Sequence, residues 1–418
     1  MYTGENDGTA LIVRLAGKAG WAASLQFRDF RFLWTSTVFY SISTGMERVA
    51  VGWLVFDLTG SPFMLGVAAA ARMAPFFFLG ILSGSIADWL ERRTLLWFST
   101  LGGILVSSVM AAMLLSGTTH VWAVIGLVAA SGCVFAFVLT TREAYTVDIV
   151  GPQHSLNGLS LDSMAMQVGG VVGAILSGAL IHAVGPGWQY VAIAIAYGVS
   201  AAVLLGIGKV GQADSPRREP VLANLAGYLQ LIGSNRILLT LMVLASITEV
   251  FGFTHLTLLP VFAKEVLGVG PVGLGFMTAV RQGGALIGLF FLANLRDFQS
   301  KGLLMLGLAF GFGAGMMLFS LATNLLVFLL VLAVINACAM AVDTLYKTLM
   351  QENVTDEQRG RAMGSWVLSV GAAPVGHGGI GGLAGVLGAP GALLVNGAVL
   401  SIVSLTVVAG LPRIRRLP

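Results

Sequence analysis

Long apolar runs separated by short polar turns make up most of this chain. Many of the runs reach the roughly 20 apolar residues that a helix needs to cross a bilayer. The apolar/polar alternation of a half-buried strand does not recur between them. The pattern therefore predicts twelve membrane-spanning helices. Their predicted limits are 30–57, 62–87, 94–116, 120–144, 156–183, 187–208, 236–262, 270–295, 302–320, 323–350, 359–386 and 389–411.

The longest polar interruption is the stretch GKVGQADSPRREP, from Gly208 to Pro220. Six predicted spans precede it and six follow, so it is typical of a linker between two halves. The expected fold class is an all-α membrane protein with twelve transmembrane helices in two pseudo-symmetric six-helix halves. The predicted domains are a tail at 1–27, a six-helix half at 28–208, a linker at 209–235, a second six-helix half at 236–411 and a tail at 412–418.

Composition supports a lipid environment. Hydrophobic residues make up 56% of the chain and charged residues only 10%, whereas soluble proteins carry about 25% charged residues. The two cysteines, Cys133 and Cys338, both lie inside apolar runs, which favours small core residues over a disulfide or a metal site. No nucleotide-binding or catalytic motif is present, so we expect no enzyme, no cofactor and no metal. Uphill transport would then depend on an ion gradient.

The basic residues predict the orientation in the membrane. All but four of the 23 lysines and arginines fall on the side of the N-terminus. The exceptions are Lys264 in an opposite loop and Arg48, Arg72 and Arg281 within spans. Because cytoplasmic loops carry an excess of basic residues, both termini and the linker are expected in the cytoplasm. The basic surplus thus reflects topology, and no nucleic-acid partner is expected.

The two halves share a sequence repeat. The segment PFMLGVAAAAR, from Pro62 to Arg72, matches PVGLGFMTAVR, from Pro271 to Arg281, at an offset of 209. The same offset aligns Asp88 with Asp297. Duplicated halves around a central site are typical of secondary transporters, whereas chance repetition of apolar composition does not explain a shared arginine within the span and a shared aspartate in the loop.

The turn after the second span resembles a known motif. The stretch GSIADWLERR resembles the loop motif Gly-x-x-x-Asp-Arg/Lys-x-Gly-Arg-Arg/Lys of the major facilitator superfamily. Gly84, Asp88, Arg92 and Arg93 match it, while a tryptophan and a glutamate replace two of its residues. The segments LLPVFAKEVLGVGPVGLG (258–275) and RGRAMG (359–364) are similar to the branch of enterobactin exporters and macrolide-efflux proteins. Drug antiporters also carry an arginine inside the fourth span, where this chain offers only Arg142 at the cytoplasmic end.

The resemblance implies a secondary transporter of the inner membrane that works by alternating access. It implies proton-coupled export of an amphiphilic small molecule such as a drug, a siderophore or a lipid. The expected partners are that substrate, protons and membrane lipid, and the protein is expected to be monomeric. Two alternatives remain open: uptake or facilitated diffusion of a small metabolite, and a membrane sensor or scaffold that transports nothing.

Ionisable side chains within spans are costly and are usually paired or functional. With a rise of 1.5 Å per residue, Glu47 and Arg72 lie about 15 Å from the outer ends of their helices, so we expect them to pair. Glu249 and Arg281 are expected to form the same pair in the second half. Each pair is either a static ion pair or a carboxylate that takes up a proton when its arginine moves away. The candidates for proton coupling are Glu249, Glu47 and Asp343, with Arg72, Arg281 and Arg48 as buried charge partners.

Asp343 lies four residues before Lys347 on one predicted helix. A local salt bridge between the two is one interpretation, and a gate or coupling acid is the other, because the resemblance implies that spans 1, 4, 7 and 10 line the cavity. His255 is either a hydrogen-bonded interior histidine or a proton carrier. The candidates for the cavity lining, each alternatively a packing or lipid contact, are Phe39, Trp53, Phe135, Phe137, Phe251, His255, Asn336, Met340 and Tyr346.

A gate on the cytoplasmic side is the interpretation that the resemblance favours for the charged turn. Asp88 would face the positive N-terminus of a neighbouring helix, and Arg92 would pair with Glu143 or Asp148. The alternative is a turn that serves only as a topology anchor. The predicted gate residues are Asp88, Arg92, Arg93, Glu143, Asp148, Asp297, Lys301 and Arg361.

Overall fold

The computed structural model describes residues 20–417, apart from 90, 209–230, 296–297 and 356–357, and apart from the side chains of 76–89, 140, 360 and 361. All regular structure in the described residues is helical. The main helices are α1 (Arg28–Thr59), α2 (Pro62–Trp89), α3 (Arg92–Leu115), α4 (Val121–Val150), α5 (Ser155–Leu204), α6 (Arg236–Val266), α7 (Gly270–Asn294), α8 (Lys301–Ser320), α9 (Leu325–Glu352), α10 (Arg359–Val370), α11 (Ala373–Gly410) and α12 (Pro412–Arg415). Short 3-10 helices cover Gly20–Gln26 and Pro152–His154.

Eight helices in the described part of the chain are long and apolar enough to cross a membrane. Two long helices, α5 and α11, bend sharply. Gly185 in α5 and Gly388 in α11 have φ of 82° and 72°, a backbone region that glycine enters without a steric penalty. Each bend is followed closely by a proline, which cannot donate the helical hydrogen bond. The bend in α5 lies between the predicted spans 156–183 and 187–208. The bend in α11 lies between the second part of the predicted span 359–386, whose first part is α10, and the span 389–411.

Helix α6 is irregular. Asn235 caps its start, because its side chain accepts hydrogen bonds from the backbone N–H groups of Ile237 and Leu238. The α-helical part ends at Ile247 and continues as a π-helical segment, Thr248–Gly252, and then as a 3-10 segment, Phe253–Leu258. Single π-helical turns frequently occur at functional sites. Glu249 lies within this one.

Helix packing follows the same order before and after the stretch 209–230. We call helices α1–α5 the first set and helices α6–α12 the second set. In the first set α1 packs against α5 and α2 against α4; in the second set α6 packs against α11 and α7 against α9. The two most extensive contacts between the sets are those of α5 with α7 and of α2 with α11. The repeated pairing is the three-dimensional counterpart of the sequence repeat.

Glycines allow the two sets to approach closely at these two contacts. A Cβ atom on Gly178 of α5 would lie 2.6 Å from the carbonyl oxygen of Pro271. A Cβ atom on Gly381 of α11 would lie 2.7 Å from the carbonyl oxygen of Pro62. Both distances are shorter than any side chain tolerates, so backbone packs on backbone there. Pro62 and Pro271 are equivalent in the repeat and begin α2 and α7 at the predicted outer face.

Candidate functional site

A cavity of about 470 Å³ lies between the two sets of helices. Helices of both sets contribute to its walls, including α1, α2 and α4 from the first and α6, α7, α9, α10 and α11 from the second. We call its larger hydrophobic side chains the apolar lining: Met73, Phe135, Phe253, Leu256 and Trp366. Such a concave, mostly apolar space with a few polar groups is what small-molecule sites have in common.

Glu47 and Arg72 form the predicted ion pair beside this cavity. The Arg72 Nη1 atom lies 3.0 Å from Glu47 Oε1, and only 11% and 6% of the two side chains are exposed. Tyr197 donates its hydroxyl to the same carboxylate at 3.2 Å, and Arg72 also donates to Ser131 at 3.3 Å. Both charges are therefore compensated inside the first set.

The expected pair between Glu249 and Arg281 does not form within the described structure. The charged groups that act on Glu249 are Asp343 and Lys347, whereas Arg281 interacts with Arg48. The depths of the two groups explain the difference. Helix α6 continues to Val266, so Glu249 lies 17 residues before its outer end, whereas Arg281 lies 11 residues after the start of α7. With a rise of about 1.5 Å per residue, Glu249 is about 9 Å closer to the predicted cytoplasmic face than Arg281.

Asp343 is held by local contacts. Its carboxylate accepts hydrogen bonds from Lys347 Nζ and from Trp366 Nε1, both at 2.8 Å. The Lys347 ammonium also lies 4.0 Å from the centre of the Trp366 ring. The local salt bridge is thus present, and it is present at the cavity wall, since Asp343 and Trp366 both line the cavity.

Arg48 and Arg281 also line the cavity, one from each set of helices. In the part of the chain that the structure describes, neither guanidinium takes part in a hydrogen bond or an ion pair. Arg48 in fact lies near a second arginine, Arg72, whose charge Glu47 already compensates. The cavity therefore contains two cationic groups that have no counterion among the described side chains.

Of the nine residues predicted for the cavity lining, Phe135 is the one that the structure places there. His255 is fully buried and hydrogen-bonded through Nδ1 to the carbonyl oxygen of Gly252 at 2.8 Å, with Asn336 at 3.4 Å from Nε2. The hydroxyl of Tyr346 bonds to that of Thr248 at 3.0 Å. These three are therefore interior packing residues and not lining residues.

The remaining predicted lining residues are placed away from this cavity: Phe39, Trp53, Phe137, Phe251 and Met340. Sequence reasoning assigned them to the right helices but could not determine which face of each helix points inward. Phe253 lines the cavity in place of Phe251, because it lies four residues after Glu249 and so on the same helix face. His377 and Thr257 also line it, with 2.7 Å between Nδ1 and Oγ1. His377 is a lone histidine in an apolar run, and that was its one sequence signal.

At the predicted cytoplasmic face the charged residues hold helices of the same set together. Arg92 pairs with Asp148, which was one of its two expected partners, and donates to the carbonyl oxygen of Ala144 at 3.2 Å. Arg93 donates to the carbonyl oxygen of Leu205 at 2.9 Å, beyond the end of α5. Both contacts are within the first set, so they brace one set and do not bridge the two.

Of the other predicted gate residues, the structure describes the side chains of Lys301 and Glu143. Lys301 pairs with Glu352 inside the second set. Glu143 is exposed and feels the charges of nearby groups of both sets, including Lys347. Asp297 and the side chains of Asp88 and Arg361 lie outside the described residues.

Sequence reasoning missed a buried charge cluster in the first set. Arg142 donates from Nε to Asp162 at 3.0 Å, and Thr37 donates its hydroxyl to the same carboxylate at 2.8 Å. The Arg142 guanidinium lies 5.5 Å from the centre of the Tyr40 ring. An aspartate inside the predicted span 156–183 was the available signal, because an ionisable group in an apolar run needs a partner.

At the predicted outer face an ion pair joins the two sets. Lys264 of α6 lies 2.5 Å from Asp57 of α1, and both side chains are substantially exposed. The Lys264 ammonium also lies 5.5 Å from the centre of the Trp53 ring. This pair and the two glycine contacts close the same end of the molecule.

The family model described as "Transmembrane secretion effector" matches residues 19–416. The chain belongs to this family. It is a transporter of the major facilitator superfamily. The enterobactin exporter EntS of Shigella boydii serotype 18 (strain CDC 3083-94 / BS512) is 24% identical over 344 residues, covering 81% of this chain and 80% of the relative. The staphyloferrin A transporter of Staphylococcus aureus (strain NCTC 8325 / PS 47) is 21% identical over 353 residues, covering 83% of this chain and 87% of the relative.

Solved structures of other transporters share the fold of this family member. The nucleoside transporter NupG has a TM-score of 0.75 at 13% identity, covering 91% of this chain and 98% of that one. A bacterial homologue of the human lysosomal transporter Spinster, in an inward-facing and occupied conformation, has a TM-score of 0.70 at 14% identity, covering 93% and 98%. At such identities the likeness establishes the fold and does not identify the cargo.

Proposed function

We propose that this protein exports an amphiphilic small molecule across the bacterial inner membrane by alternating access, driven by protons. In this proposal the two sets of helices are the two six-helix halves of a twelve-span transporter, with both termini in the cytoplasm. Their boundaries are those expected from the sequence, at 28–208 and 236–411. The protein acts as a monomer, because the cavity is built from helices of one chain.

The observation that carries the proposal is the cavity between the two sets. Alternating access requires a site that lies between two bodies able to rock against each other. Contacts at the outer end, from Asp57 to Lys264 and from Gly178 to Pro271, support a state that is closed on the outside. A cargo molecule would then enter from the cytoplasm, as export requires.

The nature of the cavity supports an amphiphilic cargo. Its apolar lining can bury a hydrophobic body, while its charged and polar groups can orient a polar one. The relatives carry enterobactin and staphyloferrin A according to their names. A siderophore of comparable size is therefore the first cargo to test, ahead of drug-like and lipid-like molecules.

Glu249 is our candidate for the proton carrier. Within the described residues its carboxylate has no hydrogen-bond or ion-pair partner, and it lines the cavity beside Asp343. Two neighbouring carboxylates in a low-dielectric site cannot both stay ionised without cost. Uptake of a proton by Glu249 removes that repulsion, and release of the proton restores it when the site opens to the other side.

Transport in proteoliposomes tests this function. Purified protein is reconstituted, a pH gradient is imposed, and accumulation of iron-free enterobactin or staphyloferrin A is measured. We expect accumulation with the wild type, and gradient-independent exchange without accumulation for Glu249→Gln. Glu265→Gln is the matched control, because Glu265 is an exposed acid on the same helix. Unchanged gradient-driven accumulation in Glu249→Gln would show that the coupling acid is elsewhere, and failure of every cargo would reject the export proposal for this class.

A further inference from the structure

The charges around the cavity are separated into two groups. Arg48 lies eleven residues before the end of α1, and Arg281 lies eleven residues after the start of α7. Both are therefore about 16 Å from the predicted outer face. Asp343 lies 18 residues after the start of α9, about 27 Å from the same outer face. The outer part of the cavity is cationic and the cytoplasmic part is acidic.

Folding alone does not favour two charged arginines, Arg48 and Arg281, at these positions. An ionised group in a low-dielectric site is costly unless it is paired. Arg72 satisfies this rule through Glu47. Arg48 and Arg281 do not satisfy it within the described structure, and they interact with each other as like charges. A bound anion would compensate both at once.

We propose that Arg48 and Arg281 form a binding site for an oxyanion-bearing amphiphile, held between the two halves of the transporter. A guanidinium group presents its N–H donors in a plane that suits carboxylate, catecholate and phosphate oxygens. The apolar body of the ligand lies against the apolar lining, to which Phe135 and Phe253 contribute one from each set of helices. The inference rests on the proposed function for the role of the cavity, and it adds the charge of the cargo and the residues that select it.

The site also suits alternating access. Arg48 belongs to α1 and Arg281 to α7, so one arginine comes from each moving body. An anion that binds both draws the bodies together around it. The two sets of helices therefore close around an anionic cargo more readily than around a neutral one, because only the anion removes the repulsion between the two arginines.

A binding assay that compares two fluorescent probes tests the site independently of transport. The anionic probe is 1-pyrenebutyrate, and the neutral probe is its amide. Both are added to protein in phosphatidylcholine nanodiscs, and energy transfer from tryptophan to pyrene reports binding, since Trp366 lines the cavity. We expect the wild type to prefer the carboxylate by at least about tenfold, which corresponds to about 1.4 kcal/mol.

Variants assign the preference to the two arginines. Arg48→Gln and Arg281→Gln should each weaken binding of the carboxylate about tenfold and leave binding of the amide unchanged. Arg281→Lys should retain part of the preference. Arg236→Gln removes the same charge at an exposed position on α6 and should have no effect. Thermal stability should not fall in either cavity variant, because each relieves a repulsion, and this separates loss of the site from loss of the fold.

Nanodiscs that contain phosphatidylglycerol distinguish the two sources of an oxyanion. If an anionic lipid headgroup is the natural ligand, phosphatidylglycerol should compete with the probe and remain bound to the wild type, but not to the double variant, in native mass spectrometry. If a soluble molecule is the ligand, the lipid should leave probe binding unchanged. Equal affinity for carboxylate and amide, or unchanged carboxylate binding in the double variant, would overturn the proposal. Anion-selective binding without gradient-driven transport would leave this site standing and reject the proposed function.

Discussion

We predict that the ion pair between Glu47 and Arg72 is a main source of stability in the first set of helices. Glu249, the corresponding acid of the second set, should contribute no such stability. The perturbation is Glu47→Gln, which removes the charge and keeps the shape. Arg72 would then lose its counterion and keep its hydrogen bond to Ser131. Glu249→Gln is the matched change in the second set, where the carboxylate has no ion-pair partner among the described residues.

The magnitude follows from the geometry of the pair. The closest nitrogen and oxygen atoms are 3.0 Å apart, and about nine-tenths of each side chain is buried. Removing one partner of a buried ion pair costs about 3–5 kcal/mol, because the other charge is left uncompensated. We expect a loss near the lower end, about 3 kcal/mol, since the glutamine oxygen can still accept the hydrogen bond of Tyr197. For Glu249→Gln we expect no loss.

Equilibrium unfolding in mixed detergent micelles, with increasing dodecyl sulfate and helix content followed by circular dichroism, measures the difference. The double variant of Glu47→Gln and Arg72→Gln completes a thermodynamic cycle. It should recover about 2 kcal/mol relative to the sum of the two single changes, because neither charge is left alone. If the two losses simply add, or if Glu249→Gln costs as much as Glu47→Gln, the reasoning about compensated and uncompensated charges is wrong.

Two further predictions concern the closed outer face. Gly178→Leu should force α5 and α7 apart at Pro271, so that distances between spin labels on the outer ends of these helices increase, whereas Gly198→Leu, at an open position of the same helix, should leave them unchanged. Equal distances in both variants would contradict the close packing. Lys264→Glu should place two carboxylates together and raise the ratio of open to closed outer-face distances by up to about fivefold. This limit follows because an exposed ion pair contributes about 1 kcal/mol or less. Adding Asp57→Lys should reverse the shift; no shift in the single variant would show that this pair does not hold the face closed.

Local rules predicted part of the site well. The pairing of Glu47 with Arg72 followed from equal depth on neighbouring antiparallel helices, and that of Asp343 with Lys347 followed from their spacing of four residues. Arg92 took one of the two partners that the resemblance favoured for it. For the first two pairs, the helix rise or the spacing along one helix sets the geometry.

Other parts of the site depended on where helices end and on which helix face points inward. The sequence predicts that the span with Glu249 ends at 262, whereas α6 continues to Val266, which places Glu249 deeper than Arg281. Glu249 and Phe253 share the face that lines the cavity, at a spacing of four residues, so Phe251 does not line it. Hydropathy does not predict these features, because both are set by packing against other helices.

By itself the sequence determined that this protein is helical, lies in a membrane and is built from a repeated unit, because hydropathy, helix length and a shared offset are properties of the chain alone. The tertiary structure decided which charges are compensated. Glu47 shields Arg72, whereas Arg48 and Arg281 face a common cavity without a described counterion. Compensation depends on distances between side chains of different helices, and those distances are set only when the two sets of helices pack together.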